Sequence, residues 1–128
     1  MSRAIIIALL LMLASPARAH EWVGWFDPGR TELSPRGYQT ARDVAAYAQR
    51  FGARQVIVTG YMDTAEQHEF SDELSRRRAQ AMATELGLLG VSPDLIEVRG
   101  RGANQLARAT PPHTSEALNR RVVVDVYR

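Results

Sequence analysis

The sequence contains no cysteine. That removes disulfide frameworks and thiolate metal sites together, and it leaves no thiol on which a bacterial lipoprotein anchor could be built. Lysine is absent as well, so all 16 basic residues are arginine. Every cationic site is therefore a planar fork suited to carboxylates. An excess of one charge is also missing. Arg3 and Arg18 fall in the N-terminal stretch, and the remaining arginines balance the 14 acidic residues. Such a near-neutral domain lacks the basic excess typical of nucleic-acid binders.

A long hydrophobic run is missing too. The apolar stretch from Ile5 to Ala14 is too short to cross a bilayer comfortably, which takes about 20 residues. Arg3 precedes it, and Ala17-Arg18-Ala19 follows it with small residues where signal peptidase reads. This is the order of a secretory signal. The expected organisation is a signal peptide over 1–19, cleaved after Ala19, and one domain over 20–128. An uncleaved N-terminal anchor is the alternative. The remaining chain is long enough to bury one core without staples. It shows no internal repeat, low-complexity tract or second domain.

Turn and cap chemistry divides that domain. Trp22 to Phe26 reads as a strand, broken by Asp27-Pro28-Gly29. Ser34-Pro35 opens a helix, with Tyr38, Ala41, Ala45, Ala48 and Phe51 on one face and Gly52 to end it. Val56-Ile57-Val58 is a β-branched run of the kind buried on both faces. Tyr61 to Phe70 is polar and reads as a loop. Ser71 can cap a second helix running to about Leu89, with Asp72 and Glu73 in its first turn. Leu95 to Arg99 and Arg121 to Tyr127 alternate as strands, with room for a helical turn near Ser115 to Leu118. The order β-α-β-α-β-β predicts an α+β sandwich with helices packed on one mixed sheet.

Common catalytic signals are missing. His68-Glu69 starts like a zincin motif, but Asp72 stands where the second histidine is needed. His20, His68 and His113 lack metal-ligand spacing, so no metal is expected. There is no Gly-x-Ser-x-Gly elbow, and Gly100-x-Gly102 lacks the third glycine of a dinucleotide fingerprint. No cofactor is expected, and the chain reads as a binding module, not an enzyme.

Two residues stand out. Arg78 lies four positions from both Leu74 and Met82, so it shares their apolar face, while Arg76 and Arg77 point to solvent. A buried guanidinium needs a partner, and an internal ion pair or a ligand would each supply one. Asp63 follows Gly60 at a strand end, where it is either a turn residue or a crevice residue. If both flank one pocket, they offer a carboxylate for an ammonium and a guanidinium for a carboxylate. That fits a zwitterionic amino-acid head group such as diaminopimelate in peptidoglycan stem peptides.

Four motifs then occur in order: Gly60-Tyr61-Met62-Asp63, Leu74-Ser75-Arg76-Arg77-Arg78-Ala79, Gly100-Arg101-Gly102 and Asn119-Arg120-Arg121-Val122. Together with Phe26-Asp27 and Leu33-Ser34-Pro35, this series resembles the OmpA-like C-terminal domain family. That family shows Gly-His-Thr-Asp, Leu-Ser-x-x-Arg-Ala, Gly-x-Gly and Asn-Arg-Arg-Val in the same order. The resemblance implies non-covalent binding of peptidoglycan in the periplasm, in association with the cell wall or outer membrane. It places Asp63 on the amine of diaminopimelate and Arg78 on a carboxylate, with Arg120 or Arg121 supporting the pocket or its loop and with Tyr61 and Ser71 among the ligand-binding residues. Tyr61 and Met62 replace the family's His and Thr, and Ser71 replaces its Asn. The glycine often found after the Asp has no counterpart. Met62 offers no hydroxyl, and Ser71 reaches less far than Asn. The expected partner is peptidoglycan, with an envelope protein as a further one. The other reading keeps the fold as an interaction or scaffold domain with weak or lost cell-wall affinity.

Overall fold

A computed structural model describes residues 19–128. The expected signal segment, 1–19, lies outside the described residues except for Ala19, which begins the first strand. Strands β1 (Ala19–Trp25), β2 (Gln55–Gly60), β3 (Ile96–Gly100) and β4 (Arg121–Tyr127) form one sheet in the order β1-β4-β2-β3. Strand β4 runs antiparallel to both β1 and β2, and β3 runs parallel to β2, so the sheet is mixed. Helices α1 (Pro35–Phe51), α2 (Thr64–Glu69) and α3 (Glu73–Leu88) complete the fold. This is the expected α+β class.

Strand β4 alternates strictly, with Val122, Val124 and Val126 fully buried. A period of two sends these residues to the helix-covered face. There they meet Val44, Ala45 and Ala48 of α1 and Ala79, Met82 and Leu86 of α3. Strand β2 is flanked on both sides and is buried from Val56 to Gly60, as its unbroken apolar run predicts.

Helix α1 starts and stops where its caps dictate. The Ser34 hydroxyl accepts from the Gly37 N–H, and Gly52 ends the helix in the left-handed conformation, with φ 65°. Its buried stripe runs through Ala41, Val44, Ala45 and Ala48. Tyr38 and Phe51, expected on that stripe, are exposed at its ends.

The segment after β2 departs from expectation. A loop was predicted over Tyr61 to Phe70, but Thr64–Glu69 is a helix. Helix α3 is capped by Asp72, whose side chain makes no cap bond, and not by Ser71. Ser71 instead accepts through its carbonyl from the Leu74 N–H. The helical turn predicted near Ser115 to Leu118 lies at Ala117–Asn119.

The N-terminal turns of α3 cross the ends of β2 and β3 at very close range. A Cβ on Gly60 would lie 1.7 Å from the Ser75 carbonyl oxygen, and one on Gly100 would lie 2.8 Å from the Arg76 nitrogen. Only glycine permits that approach. It delivers Arg78, in the second turn of α3, beneath the loop that leaves β2.

Candidate functional site

Asp63 lies three residues past the end of β2 and caps α2. Its Oδ1 accepts from the Glu66 N–H at 2.7 Å, and Glu66 Oε1 accepts from the Asp63 N–H at 3.1 Å. This reciprocal pair is a capping box, Asp-x-x-Glu being the acidic version of its usual sequence. Asp63 Oδ2 accepts from Arg120 Nη1 at 2.8 Å and from the Glu116 N–H at 3.1 Å. Burial alone would raise the Asp63 carboxyl. The Glu66 N–H, the Arg120 guanidinium and the Glu116 N–H together outweigh it and hold the group below its ordinary value.

Arg78 is fully buried. Its Nη1 and Nη2 donate to the two oxygens of Glu66 at 2.7 and 2.5 Å, a two-pronged ion pair. Nη1 also donates to the Tyr61 carbonyl at 3.0 Å, Nη2 to the Asp27 carbonyl at 3.3 Å, and Nε to the Arg30 carbonyl at 2.9 Å. A guanidinium has five N–H donors, and all five are engaged. The Phe26 ring lies 5.2 Å from its Cζ. Of the two partners that the sequence left open for Arg78, the structure supplies an internal one.

Asp63 and Arg78 therefore belong to one buried network, but Glu66 stands between them. In the sequence Glu66 belongs to the polar stretch Tyr61 to Phe70, which reads as a loop. The signal that would have found it is its place three residues after Asp63, the capping-box spacing.

Among the other expected site residues, Arg120 joins the network. Its Nε donates to the Phe26 carbonyl at 3.0 Å, and Nη1 donates to Asp63 and to the Ser115 hydroxyl. Arg121 does not join. It points to the uncovered side of the sheet, with its Cζ 3.8 Å from the Tyr61 ring centroid. Tyr61 contributes its carbonyl to Arg78, while its ring lines a separate cleft with Arg121, Glu21 and Asp125. Ser71 is exposed and lines none of the clefts around Asp63.

Two clefts flank the Asp63–Arg120 pair. The smaller, about 260 Å³, lies between the Pro28–Gly29 turn and α2 and is lined by Asp63, Glu66, Glu69, Phe70 and Ser115. The larger, about 610 Å³, lies between the loop before α1 and Ala117, with Arg30, Glu32 and Arg120 on its walls. Arg78 lines neither.

The remaining motif residues hold the walls. The Ser75 hydroxyl donates to the Asp72 carbonyl and accepts from the Gly102 N–H, tying the 100–102 turn to α3. The Asn119 amide brackets Arg108, accepting from its N–H and donating to its carbonyl, each at 2.9 Å. The Thr64 hydroxyl is shared with Thr110, Pro111 and Thr114. His68 and His113, distant in sequence, have ring centroids 4.2 Å apart. Among the described residues, no group of three His, Asp or Glu side chains is placed to hold a metal ion.

A mixed four-stranded sheet with helices on one face, an Asp just past the end of a central strand and a buried Arg on the next long helix define a small α+β domain. Residues 25–120 match the model of the OmpA family, and the chain belongs to that family. It is 30% identical over 99 residues to a probable lipoprotein of Escherichia coli K12, covering 77% of this chain and 45% of that protein. It is 31% identical over 98 residues to the peptidoglycan-associated lipoprotein of Pseudomonas aeruginosa, covering 77% of this chain and 58% of that one. The chain thus spans about a third to somewhat over half of these and similar relatives. The fold is shared with the peptidoglycan-associated lipoprotein of Burkholderia pseudomallei, at TM-score 0.72 and 24% identity over 83% of this chain and 89% of that chain. It is shared also with an OmpA-like domain from Francisella tularensis, at TM-score 0.71 and 23% identity over 84% and 71%.

Proposed function

We propose that this chain is a cell-envelope module that binds peptidoglycan non-covalently, through the cleft between the Pro28–Gly29 turn and α2. The observation that carries this reading is Asp63. It is a buried, ionised carboxylate fixed by three donors on the wall of an open cleft, and it sits where the family motif places its ligand-binding Asp. A carboxylate held this way needs no reorganisation to meet an ammonium group. The diaminopimelate side chain presents such a group in the periplasm. Two relatives, each 31% identical to this chain over 98 residues, bear peptidoglycan association in their names. In this reading Arg120 holds Asp63 in place, and Arg78 anchors the cleft wall.

The same reading puts the protein in the periplasm. Residues 1–19 act as its export signal, and it binds without catalysing a reaction. Among the described residues, no helix is long and apolar enough to cross a membrane. N-terminal sequencing of exported protein should give His20.

Co-sedimentation with purified sacculi tests the binding. The parent should pellet, and Arg76→Ala, on the exposed face of α3, should pellet equally. A folded parent that stays in the supernatant ends this reading. One observation favours a second: every donor of Arg78 is already occupied. In that reading the fold serves as a protein-interaction or scaffold domain, and the same supernatant result selects it.

A further inference from the structure

Glu66 occupies the seat that a ligand carboxylate would take on Arg78. Its Oε1 accepts from Arg78 Nη1 and the Asp63 N–H, and its Oε2 accepts from Arg78 Nη2 and the Gly29 N–H. Four donors thus surround a carboxylate that is almost wholly buried. We propose that Glu66 is a specificity-determining residue: a built-in carboxylate that closes the anion seat, so that the cleft recognises a primary ammonium group and gains nothing from a carboxylate beside it. This rests on the cell-wall reading above and names the part of the wall peptide that is read.

Three observations carry the inference. Arg78 has no donor left over, so an incoming carboxylate must evict Glu66 before it can pair. Eviction would strip a buried carboxylate of all four donors, a loss the incoming group would only replace at Arg78. Second, the backbone of α2 places Glu66. It is the third residue of a capping box whose other half is Asp63, so moving it also undoes the cap of the ligand-facing carboxylate. Third, the cleft wall carries Asp63, Glu66 and Glu69, and no guanidinium reaches it. A group entering there meets acceptors for an ammonium and no cationic partner for a carboxylate.

Glu66→Ala should reopen the seat. Acetate, which has the dimensions of the deleted group, should then bind to Arg78 and raise the thermal midpoint of Glu66→Ala. A rise of about 3 °C over chloride of equal ionic strength is expected once acetate exceeds its Kd severalfold. The parent should show no such difference. If Glu66→Ala folds poorly, refolding yield in acetate against chloride replaces the midpoint. Equal behaviour of the variant in the two salts, by either measure, overturns the anion seat. This arm does not involve the cell wall.

The second arm uses competition for sacculi. From the parent, meso-diaminopimelate and 1,5-diaminopentane, which lacks carboxylates, should displace binding at concentrations within about threefold of each other. From Glu66→Ala, diaminopimelate should become the better competitor by about tenfold or more. A parent that already prefers diaminopimelate by that margin overturns the proposal, because its carboxylate is then being read past Glu66. A parent that ignores sacculi while Glu66→Ala pellets supports the closed seat and refutes the cell-wall function of the parent, so the two failures are distinct.

Discussion

Asp63 and Arg120 stand 57 positions apart in sequence and 2.8 Å apart in space, both buried. The bond ties the start of α2 to the start of β4. Each partner is further committed: Asp63 to two backbone N–H groups, Arg120 to the Phe26 carbonyl and the Ser115 hydroxyl. The residue expected to touch ligand is therefore also a junction of the fold.

Asp63→Ala should accordingly destabilise the domain strongly. It removes a helix cap, worth about 1 kcal/mol. It also leaves Arg120 buried without its counter-charge, and breaking a buried pair typically costs about 3–5 kcal/mol. Arg120→Ala should cost a similar amount. The double variant should be less destabilised than the sum of the two, by about 1–3 kcal/mol. Urea denaturation of the four proteins measures this coupling. Strict additivity would mean that the bond contributes nothing.

Arg78→Lys tests how far the guanidinium shape matters. Lysine keeps the charge but has three donors from one nitrogen, and they cannot reach Glu66 on two prongs and three carbonyls at once. Orphaned buried carbonyls at Asp27, Arg30 or Tyr61 should cost about 2–3 kcal/mol in total. Arg76→Ala, exposed on the same helix, should stay within about 0.5 kcal/mol of the parent. Chemical denaturation of both variants checks the contrast, and equal stabilities would discount the network.

The fold was legible in the sequence wherever one local rule acted alone. Ser34-Pro35 and Gly52 bounded α1, and the alternating valines of β4 fixed both the strand and its buried face. The site was legible only in part. Arg78 was placed inside by its spacing from Leu74 and Met82, and it is buried. Its partner was not legible, because Glu66 lies in a six-residue helix too short to show a period. Nothing local says that the Tyr61 ring turns to the uncovered face of the sheet and stacks on Arg121. Pairings such as Asp63 with Arg120 depend on how β4 is seated beside β2, which is a property of the whole sheet.

Gly60→Ala should test the close crossing that delivers Arg78. The added Cβ would meet the Ser75 carbonyl at 1.7 Å, with the Ala79 nitrogen at 3.1 Å. Backbone on both sides cannot rotate away, so α3 must move. Overpacking typically costs about 1–3 kcal/mol, and this contact should lie at or above the top of that range. A shift of α3 would also draw Arg78 off Glu66. Thermal melts give the cost, and near-parent stability would show that α3 sits farther from β2.

Acid behaviour separates Asp63 from Asp125, whose carboxyls are displaced in opposite directions. The Asp63 carboxyl lies below its ordinary 3.8 in the folded protein. Its charge contributes stability that is fully present above 3.8 and is lost as pH falls through the lower, folded value. Asp125 faces Glu21 across the β1–β4 pair. Burial raises its carboxyl first, then the Glu21 charge and a hydrogen bond to Glu21, with Arg99 offsetting only part. A raised carboxyl has the reverse linkage. Between 3.8 and its folded value, the native state holds a proton that the unfolded chain has released, so stability falls as pH rises through that window. Above the window the cost is fully present. Asp125→Asn should therefore be more stable than the parent near neutral pH, by about 0.5–1 kcal/mol, since solvent screens a half-buried pair. The gain should shrink as pH drops to about 3, where the parent's Asp125 is already protonated. Added salt should reduce the part due to Glu21 charge but leave the part due to burial. Asp63→Asn should show the opposite profile, with its deficit largest near neutral pH and smallest in acid. Denaturation of the parent and both variants at the two pH values decides the matter. An Asp125→Asn variant weaker than the parent near neutral pH would mean that Arg99 holds the Asp125 charge more firmly than Glu21 and burial oppose it.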